Sequence, residues 1–238
     1  MLTNQTNDVT KDKWRNFYGN RSASAGRYPT EWVVRTLAGG RYPKLSLDKS
    51  RYLGSRILDM GCGDGRNLPL LQDLGFDVHA CEISSDIVTE LEAVAKTSNW
   101  GVQFSVGRNL EISYADSFFD YMLCCSSCYY METGATWGSI LNELSRVLKV
   151  GGILVANFPD LTNFIFKNSM RNKDGSYLIT SDPYGLRNGM RLMAVANEGE
   201  LASVLGSGFR ILGIGHQDDD FYGSRVSGYF LVAEKIEK

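Results

Sequence analysis

The chain has 238 residues, 43% hydrophobic and 22% charged, with 25 basic against 27 acidic side chains and a net charge of −2. These proportions exclude disorder, collagen and coiled coil as the class of the whole chain, and the near-neutral balance gives no general attraction to phosphate backbones or anionic lipid. The longest charge-free stretches, such as Tyr121–Met131, run 11 residues, short of the ~20 apolar residues a spanning helix needs, so neither a nucleic-acid nor a membrane partner is expected.

In chain order, residues 1–28 are polar with scattered aromatics (Trp14, Phe17, Tyr18, Tyr28), and no apolar targeting stretch follows Met1. Pro29-Thr30 open a helix over Glu31–Leu37 that Gly39-Gly40 close, and 41–54 reads as a loop. Ile57–Met60 is a short apolar strand entering a glycine cluster. Leu68, Leu71 and Leu74 then recur at helical spacing up to Gly75. Asp77–Glu82 is a strand, and Ile87, Leu91 and Val94 mark a helix capped by Ser84 or Ser85. Val102–Val106 and Phe118–Cys125 are strands, the second apolar on both faces as a buried parallel strand should be. A helix through Ile140–Leu148 stops at Gly151-Gly152, and Ile153–Phe158 is the fifth strand. After a helix near Glu198–Leu205, strands Phe209–Gly215 and Ser227–Glu234 are joined by a loop too short for a crossover helix, so this pair is antiparallel.

The alternation predicts an α/β fold: a Rossmann-like, doubly wound, seven-stranded sheet, mostly parallel with an antiparallel last strand. The length suits one domain with embellishments, here an N-terminal arm or cap over 1–54 and the main domain over 55–238, with an insertion at 160–197 after the fifth strand. So long a connection is read as a substrate lid. The five cysteines (Cys62, Cys81, Cys124, Cys125, Cys128) are an odd set in apolar segments, which predicts reduced thiols and a cytoplasmic protein. Cys125 and Cys128 have a metal-like spacing, but no second pair completes four ligands, so no metal is expected.

The most informative run is Ile57-Leu58-Asp59-Met60-Gly61-Cys62-Gly63-Asp64-Gly65-Arg66-Asn67-Leu68. Glycines at 61, 63 and 65 let the backbone turn sharply and come close to a ligand. Asn67 is a candidate cap for the helix beyond, whose free N–H groups suit a carboxylate. A dinucleotide fingerprint needs a third glycine where Arg66 stands. Asp59 beside the turn is a poor neighbour for a pyrophosphate but a good one for an ammonium group, and Glu82, ending the second strand, is placed for a ribose diol.

Ile57–Leu68 resembles motif I of the class I S-adenosylmethionine-dependent methyltransferases, in particular the small-molecule members of types 11 and 12. Glu82 matches their ribose-binding acid, Gly107–Leu110 through Asp116–Asp120 the third-strand loop and the approach to the fourth strand, and Glu143–Gly152 the helix before the fifth strand. The resemblance covers about 56–160. It implies S-adenosylmethionine as cofactor, S-adenosylhomocysteine as product, and a cofactor site of Asp59, Gly61, Cys62, Gly63, Gly65, Asn67, Glu82, Ile83, Asn109, Leu110 and Cys125. One departure stands out: Arg108 occupies the position where members commonly carry the acid that meets the adenine amino group, and an arginine cannot accept a hydrogen bond. Asn109, or main chain near Leu110, is then left for that contact.

The donor's methyl group is already activated by its sulfonium, so alignment and exclusion of water carry most of the catalysis, and a base is needed only where the acceptor must lose a proton. Candidate catalytic residues at or beyond strand ends are His216, Tyr129, Tyr130 and Asp160. His79, in mid-strand, is expected to be a packed histidine. The motifs of amino and cytosine-5 methyltransferases are absent after the fourth strand, which reads Ser126-Ser127-Cys128-Tyr129; Asp182-Pro183-Tyr184 lies in the insertion and is discounted. The expectation is methyl transfer to an O, N or S atom of a small-molecule acceptor. The insertion's basic residues (Lys167, Arg171, Lys173, Arg187, Arg191) favour an acceptor with a negative group. The alternatives are a catalytically silent cofactor-binding module and a nicotinamide-dependent oxidoreductase.

Overall fold

The computed structural model describes residues 9–19 and 27–236. The reading of the first residues as free of a targeting stretch, and much of the N-terminal arm, lie outside them. Strands β1 (Arg56–Met60), β2 (Asp77–Glu82), β3 (Val102–Val106), β4 (Phe119–Cys124), β6 (Leu148–Pro159), β10 (Phe209–Phe221) and β11 (Ser224–Lys235) form one sheet in the order β10-β11-β6-β4-β1-β2-β3. All neighbours are parallel except β11, which runs antiparallel to both β6 and β10. The fold is therefore the expected seven-stranded Rossmann-like sheet, with β6 as the fifth strand of the sequence reading.

Both faces of the sheet are covered, which is why its strands read as continuous apolar runs. Along β4, Tyr121 and Leu123 pack into one core with α3 (Leu68–Asp73) and α4 (Ser85–Ser98). The alternate residues Met122 and Cys124 pack into the other core with α5 (Trp137–Val147) and α6 (Glu198–Leu205). Local rules set the helix starts: the Ser84 hydroxyl accepts from the Asp86 N–H, and Thr136 and Ser139 form a reciprocal capping box on α5.

Several boundaries differ from expectation. The helix opened by Thr30 is one α turn, α2 (Glu31–Val33), continued as a π turn over Val34–Ala38. The loop 41–54 contains a short 3₁₀ turn at Lys49–Arg51. Gly151-Gly152 do not stop a helix. Helix α5 has already ended at Val147, and Gly151, at φ +77°, lies within β6, where the pairing with β4 shifts register. Asn67 does not cap α3 with its side chain; its Oδ1 accepts from the Thr30 N–H at 2.9 Å instead. Nor does the start of α3 offer a set of free amides, since Leu68 N–H donates to the Gly65 carbonyl and the helix is only 6 residues long.

The largest correction concerns 216–222. These residues are not a loop: β10 continues to Phe221 and returns through Tyr222-Gly223, both at positive φ, into β11. This is the two-residue turn that matches the twist of a hairpin. The acidic run Asp218-Asp219-Asp220 sits on the exposed edge strand, where charge prevents further strand pairing. The insertion is also structured. Strands β7 (Ser169–Arg171), β8 (Tyr177–Ile179) and β9 (Arg191–Leu192) join β5 (Tyr130–Met131) in a second, four-stranded sheet of order β5-β9-β8-β7.

Because Leu123 is fully buried at the centre of the main sheet, Leu123→Ala is expected to cost about 2–5 kcal/mol of stability in urea unfolding. Leu161→Ala, at a site 42% exposed, is expected to stay within about 0.5 kcal/mol.

Candidate active site

At the carboxyl end of β1 the chain turns through Gly61, Gly63 and Gly65, all at positive φ. The Gly61 and Cys62 amides both donate to the Cys81 carbonyl, at 2.9 and 3.2 Å, which fastens the turn to β2. A Cβ on Gly61 would come 2.6 Å from Ser127 Cβ, and one on Gly63 would overlap the Tyr18 hydroxyl. At Gly65 a Cβ would meet Leu91 and Leu68 at 2.9 and 3.0 Å, so this glycine serves helix packing behind the turn.

Asp59 precedes this turn with 0% exposure, and neither of its carboxylate oxygens has a hydrogen-bond partner among the described residues. Burial, then the charges of Glu82 and Asp64, push its pKa up to about 7. Glu82, at the end of β2, lies across the turn: one oxygen accepts from Gly63 N–H at 3.1 Å and the other from Ile83 N–H at 2.6 Å. Burial raises this carboxyl too, against the two amide bonds that favour its charged form.

A cavity of about 360 Å³ opens over the turn. Of the expected cofactor residues, Gly61, Cys62, Asn67, Glu82, Ile83, Asn109 and Cys125 line it. Asp59, Gly63 and Gly65 stand behind that wall, and Leu110 packs against the core instead. Asn109 is committed to main chain, its Nδ2 donating to the Ser127 and Tyr130 carbonyls at 3.1 Å each. Arg108 is ion-paired with Glu132 at 3.3 Å, and both line the cavity, so an acid does reach this region, from the residue that follows β5. Arg66 also lines it, in a bidentate pair with Asp64 at 2.9 and 2.8 Å.

One wall was only half anticipated. Helix α1 (Val9–Gly19) places Thr10, Trp14, Phe17 and Tyr18 on the cavity. Trp14 stacks on Tyr18 at 5.6 Å and meets Tyr130 edge-on at 5.5 Å, while Lys13 Nζ donates to the Asn188 carbonyl of the insertion. The spacing 10, 14, 17, 18 is a helical face and was legible in the sequence. Tyr28, 80% exposed, takes no part.

A second cavity, of about 880 Å³, shares Thr30, Ser126 and Arg187 with the first. Tyr129 and His216 line it, and Asp160 stands behind His216 with its Oδ2 3.1 Å from His216 Nε2. Tyr130 lines the first cavity instead, its hydroxyl accepting from Arg187 Nε at 3.0 Å. Burial raises both phenols, Tyr130 in spite of Arg187. Sequence reasoning missed Thr30 and Trp32 as cavity residues; no motif marks them, because they arrive from the start of α2. Of the insertion's basic residues, only Arg187 reaches either cavity, and Asp182 pairs with it at 3.3 Å, so the expected basic surface for an anionic acceptor does not form. Four cysteines are buried, and Cys125, half-buried, donates weakly to Thr30 Oγ1 at 3.5 Å; all five are free thiols. His79 is packed as expected, its Nδ1 3.2 Å from the Tyr114 hydroxyl.

A Rossmann-like sheet whose first strand runs into a glycine turn between two buried acids defines the class I S-adenosylmethionine-dependent methyltransferases. Residues 58–156 match the family described as "Methyltransferase domain", which supports a methyltransferase of this class, with S-adenosylmethionine as cofactor, for this part of the chain. It is 31% identical over 118 residues, 45% of its length and 47% of the relative's, to YqeM of Bacillus subtilis, itself provisionally named a methyltransferase. The matches span about half the length of the first curated relatives. Among solved structures it superposes on the Haloferax volcanii chain in complex with the Trm112 methyltransferase activator with a TM-score of 0.68 at 14% identity, covering 96% of this chain and 98% of that one. It also superposes on the Burkholderia thailandensis 1,6-didemethyltoxoflavin-N1-methyltransferase bound to its acceptor and S-adenosylhomocysteine, with a TM-score of 0.57 at 18% identity, covering 78% and 72%. These two likenesses concern the fold. The methyltransferase domain displaces the nicotinamide reading, and among the described residues no helix is long and apolar enough to cross a membrane.

The orphaned carboxylate of Asp59 and the side-chain-free cradle beside it fit a ligand that brings an ammonium group close to backbone. Because the folded state holds the Asp59 proton more tightly than the unfolded state, the ligand-free protein loses stability as pH rises from about 4 toward 7. A ligand ammonium stabilises the charged form, so S-adenosylhomocysteine binding is expected to release a proton below pH ~7 and to tighten as pH rises toward it. Calorimetry in two buffers of different ionisation enthalpy measures this, and Asp59→Asn is expected to remove the dependence.

Proposed function

We propose that the chain transfers the methyl group of S-adenosylmethionine to an O, N or S atom of a small molecule held in the second cavity. The supporting observation is that this cavity adjoins the glycine-turn cavity through the shared wall of Thr30, Ser126 and Arg187. When bound, the cofactor supplies a methyl group made electrophilic by its sulfonium.

The chain's residues divide the remaining work. Asp59, just behind the cavity wall, supplies negative charge toward the cofactor's ammonium, Arg66 is the cation for its carboxylate, and Glu82 keeps lone pairs for the two ribose hydroxyls beyond its two amide bonds. Ile83 and the Arg108–Glu132 pair fall to the adenine. The acid standing beside Arg108 weakens the case for a silent binding module, which rested on the missing acceptor. Helix α1 and the aromatic residues it carries exclude water from the methyl group.

Among the four catalytic candidates, Tyr129 and Tyr130 serve as walls, because burial holds their protons on at neutral pH. His216, positioned by Asp160, is the base where one is needed. In domain terms, 1–54 is an arm and cap, 55–238 the methyltransferase body, and 160–197 part of the acceptor's roof, carried by Asn163, Phe164, Ile165 and Arg187. A small-molecule acceptor, a cytoplasmic location and the absence of nucleic-acid and membrane partners complete the reading.

Saturating S-adenosylhomocysteine, at 100 times its Kd, is expected to stabilise the protein by about 2.7 kcal/mol in thermal melts. Glu82→Ala is expected to weaken its binding by roughly 1.5–3 kcal/mol, and Gly63→Val more. A melting curve unmoved by ligand would overturn the assignment, and release of S-adenosylhomocysteine in an acceptor screen tests the transfer itself.

A further inference from the structure

We infer that the acceptor is a flat aromatic compound carrying a hydroxyl and no anionic group, and that His216 removes the hydroxyl proton. This rests on the reading of the second cavity as the acceptor site.

The shape of the acceptor follows from the walls. Trp32, Tyr129, Phe164, Phe221, Tyr229 and Phe230 line the cavity, with Trp32 and Phe230 already stacked at 5.1 Å and 13° between planes. Faces and edges of rings at such spacing favour a further ring over a flexible chain.

The charge of the acceptor follows from the rim. Glu31, Asp218, Asp219 and Asp220 line the cavity against only Arg35 and Arg187. Arg35 is held by Glu31 at 2.8 Å, and Arg187 by Asp182 and the Tyr130 hydroxyl. Asp218 has its own partner, Arg225, at 2.6 Å, but Asp219 and Asp220 face no guanidinium among the described ion pairs. An anionic acceptor would meet like charge, which costs several kcal/mol where it is not screened.

The reacting group follows from the base. Asp160 is 6% exposed and fully engaged: it accepts from Thr162 N–H at 2.7 Å, Thr162 Oγ1 at 2.6 Å, the Ser227 hydroxyl, and His216 Nε2 at 3.1 Å. Burial alone would raise its carboxyl, but the bonds from Ser227, Thr162 and His216 outweigh that and hold it charged. Such an acceptor fixes the Nε2–H tautomer of His216, and Nδ1 has no protein partner among the described residues. The charged and polar groups around the ring are Asp160, Asp218, Ser227 and Tyr229, the last with its ring 4.6 Å away, and Arg225 is held by Asp218. An amine attacks with a lone pair it already has. A hydroxyl with a pKa of ~10 is a poor nucleophile until it loses its proton, so an oriented base is the feature an O–H acceptor requires. In the step, the O–H bond breaks and its proton passes to His216 Nδ1 and on to water. An oxygen lone pair forms the bond to the methyl carbon, and the carbon–sulfur bond leaves its pair on sulfur, which becomes a neutral thioether.

The test uses the full chain and three probes that share one ring system: 2-naphthol, 2-naphthylamine and 2-naphthoate. In the S-adenosylhomocysteine complex, tryptophan-fluorescence titration is expected to show naphthol and naphthylamine binding at least about tenfold tighter than naphthoate. Asp219→Asn with Asp220→Asn is expected to close most of that gap. With S-adenosylmethionine, naphthol is expected to be methylated. His216→Gln is expected to keep the Kd for naphthol and for S-adenosylhomocysteine within about twofold while losing about 100-fold in kcat. Naphthoate binding as tightly as naphthol, no probe binding at all, naphthol bound without transfer, or His216→Gln turning naphthol over within about tenfold of the parent each overturns the inference. Failure of S-adenosylhomocysteine to bind would instead sink the methyltransferase reading beneath it.

Discussion

Two carboxylates buried at the ends of adjacent parallel strands, beside a turn in which every second residue is glycine, are the constraint around which the rest of the site is arranged. Asp59 and Glu82 sit at the ends of β1 and β2, and the Gly61 and Cys62 amides tie the turn to Cys81 so that the two acids cannot drift apart. Burial raises both pKa values, and at Asp59 the charge of Glu82 adds to it, which is unfavourable for the ligand-free protein. Glu82 is relieved by two backbone amides, whereas Asp59 has none. Such an arrangement stores binding energy for a ligand that carries a cation and hydroxyls, since the ligand completes the hydrogen bonds the fold leaves open.

How much of this could be read in the sequence depended on whether the determining contacts were local. The strand–helix alternation, the glycine turn and its acids were legible because a parallel sheet buries both faces of its strands and a tight turn needs residues that tolerate positive φ. Asp59, Gly61, Gly63 and Glu82 stand where that logic puts them. The edge hairpin was misread because Gln217–Asp220 look like a solvated loop, and only the pairing with Val226–Gly228 shows them to be strand. Likewise Asn67 has the composition of a helix cap, but its side chain is taken by Thr30, 37 positions away in sequence.

The walls of the two cavities were the least legible part, for the same reason. Thr30 comes from the start of α2, Ser126 from the end of β4 and Arg187 from the insertion. No periodicity links three such residues; only the sheet order brings them together. The basic residues of the insertion illustrate the opposite error. Counted along the chain they suggested an anion site, yet Arg191 is paired with Asp174 and Arg187 with Asp182, so composition overstated a charge that ion pairing within the insertion absorbs.

The placement of His216 shows how one misread element changes the chemistry available. On a loop, a histidine beside three aspartates would be mobile and solvated, and its orientation would carry no argument. On β10 its position is set by pairing with Tyr229, and β11 in turn pairs with β6, at whose end Asp160 lies. The ring and the carboxylate therefore come from strands two places apart in one rigid sheet, with Ser227 on the strand between them bonded to the same carboxylate oxygen. An edge hairpin that seems only to finish the sheet thus supplies an oriented proton acceptor on the side where the glycine turn lies. The second cavity is built from the least conventional part of the fold, and the glycine-turn cavity from the part that the sequence states most openly.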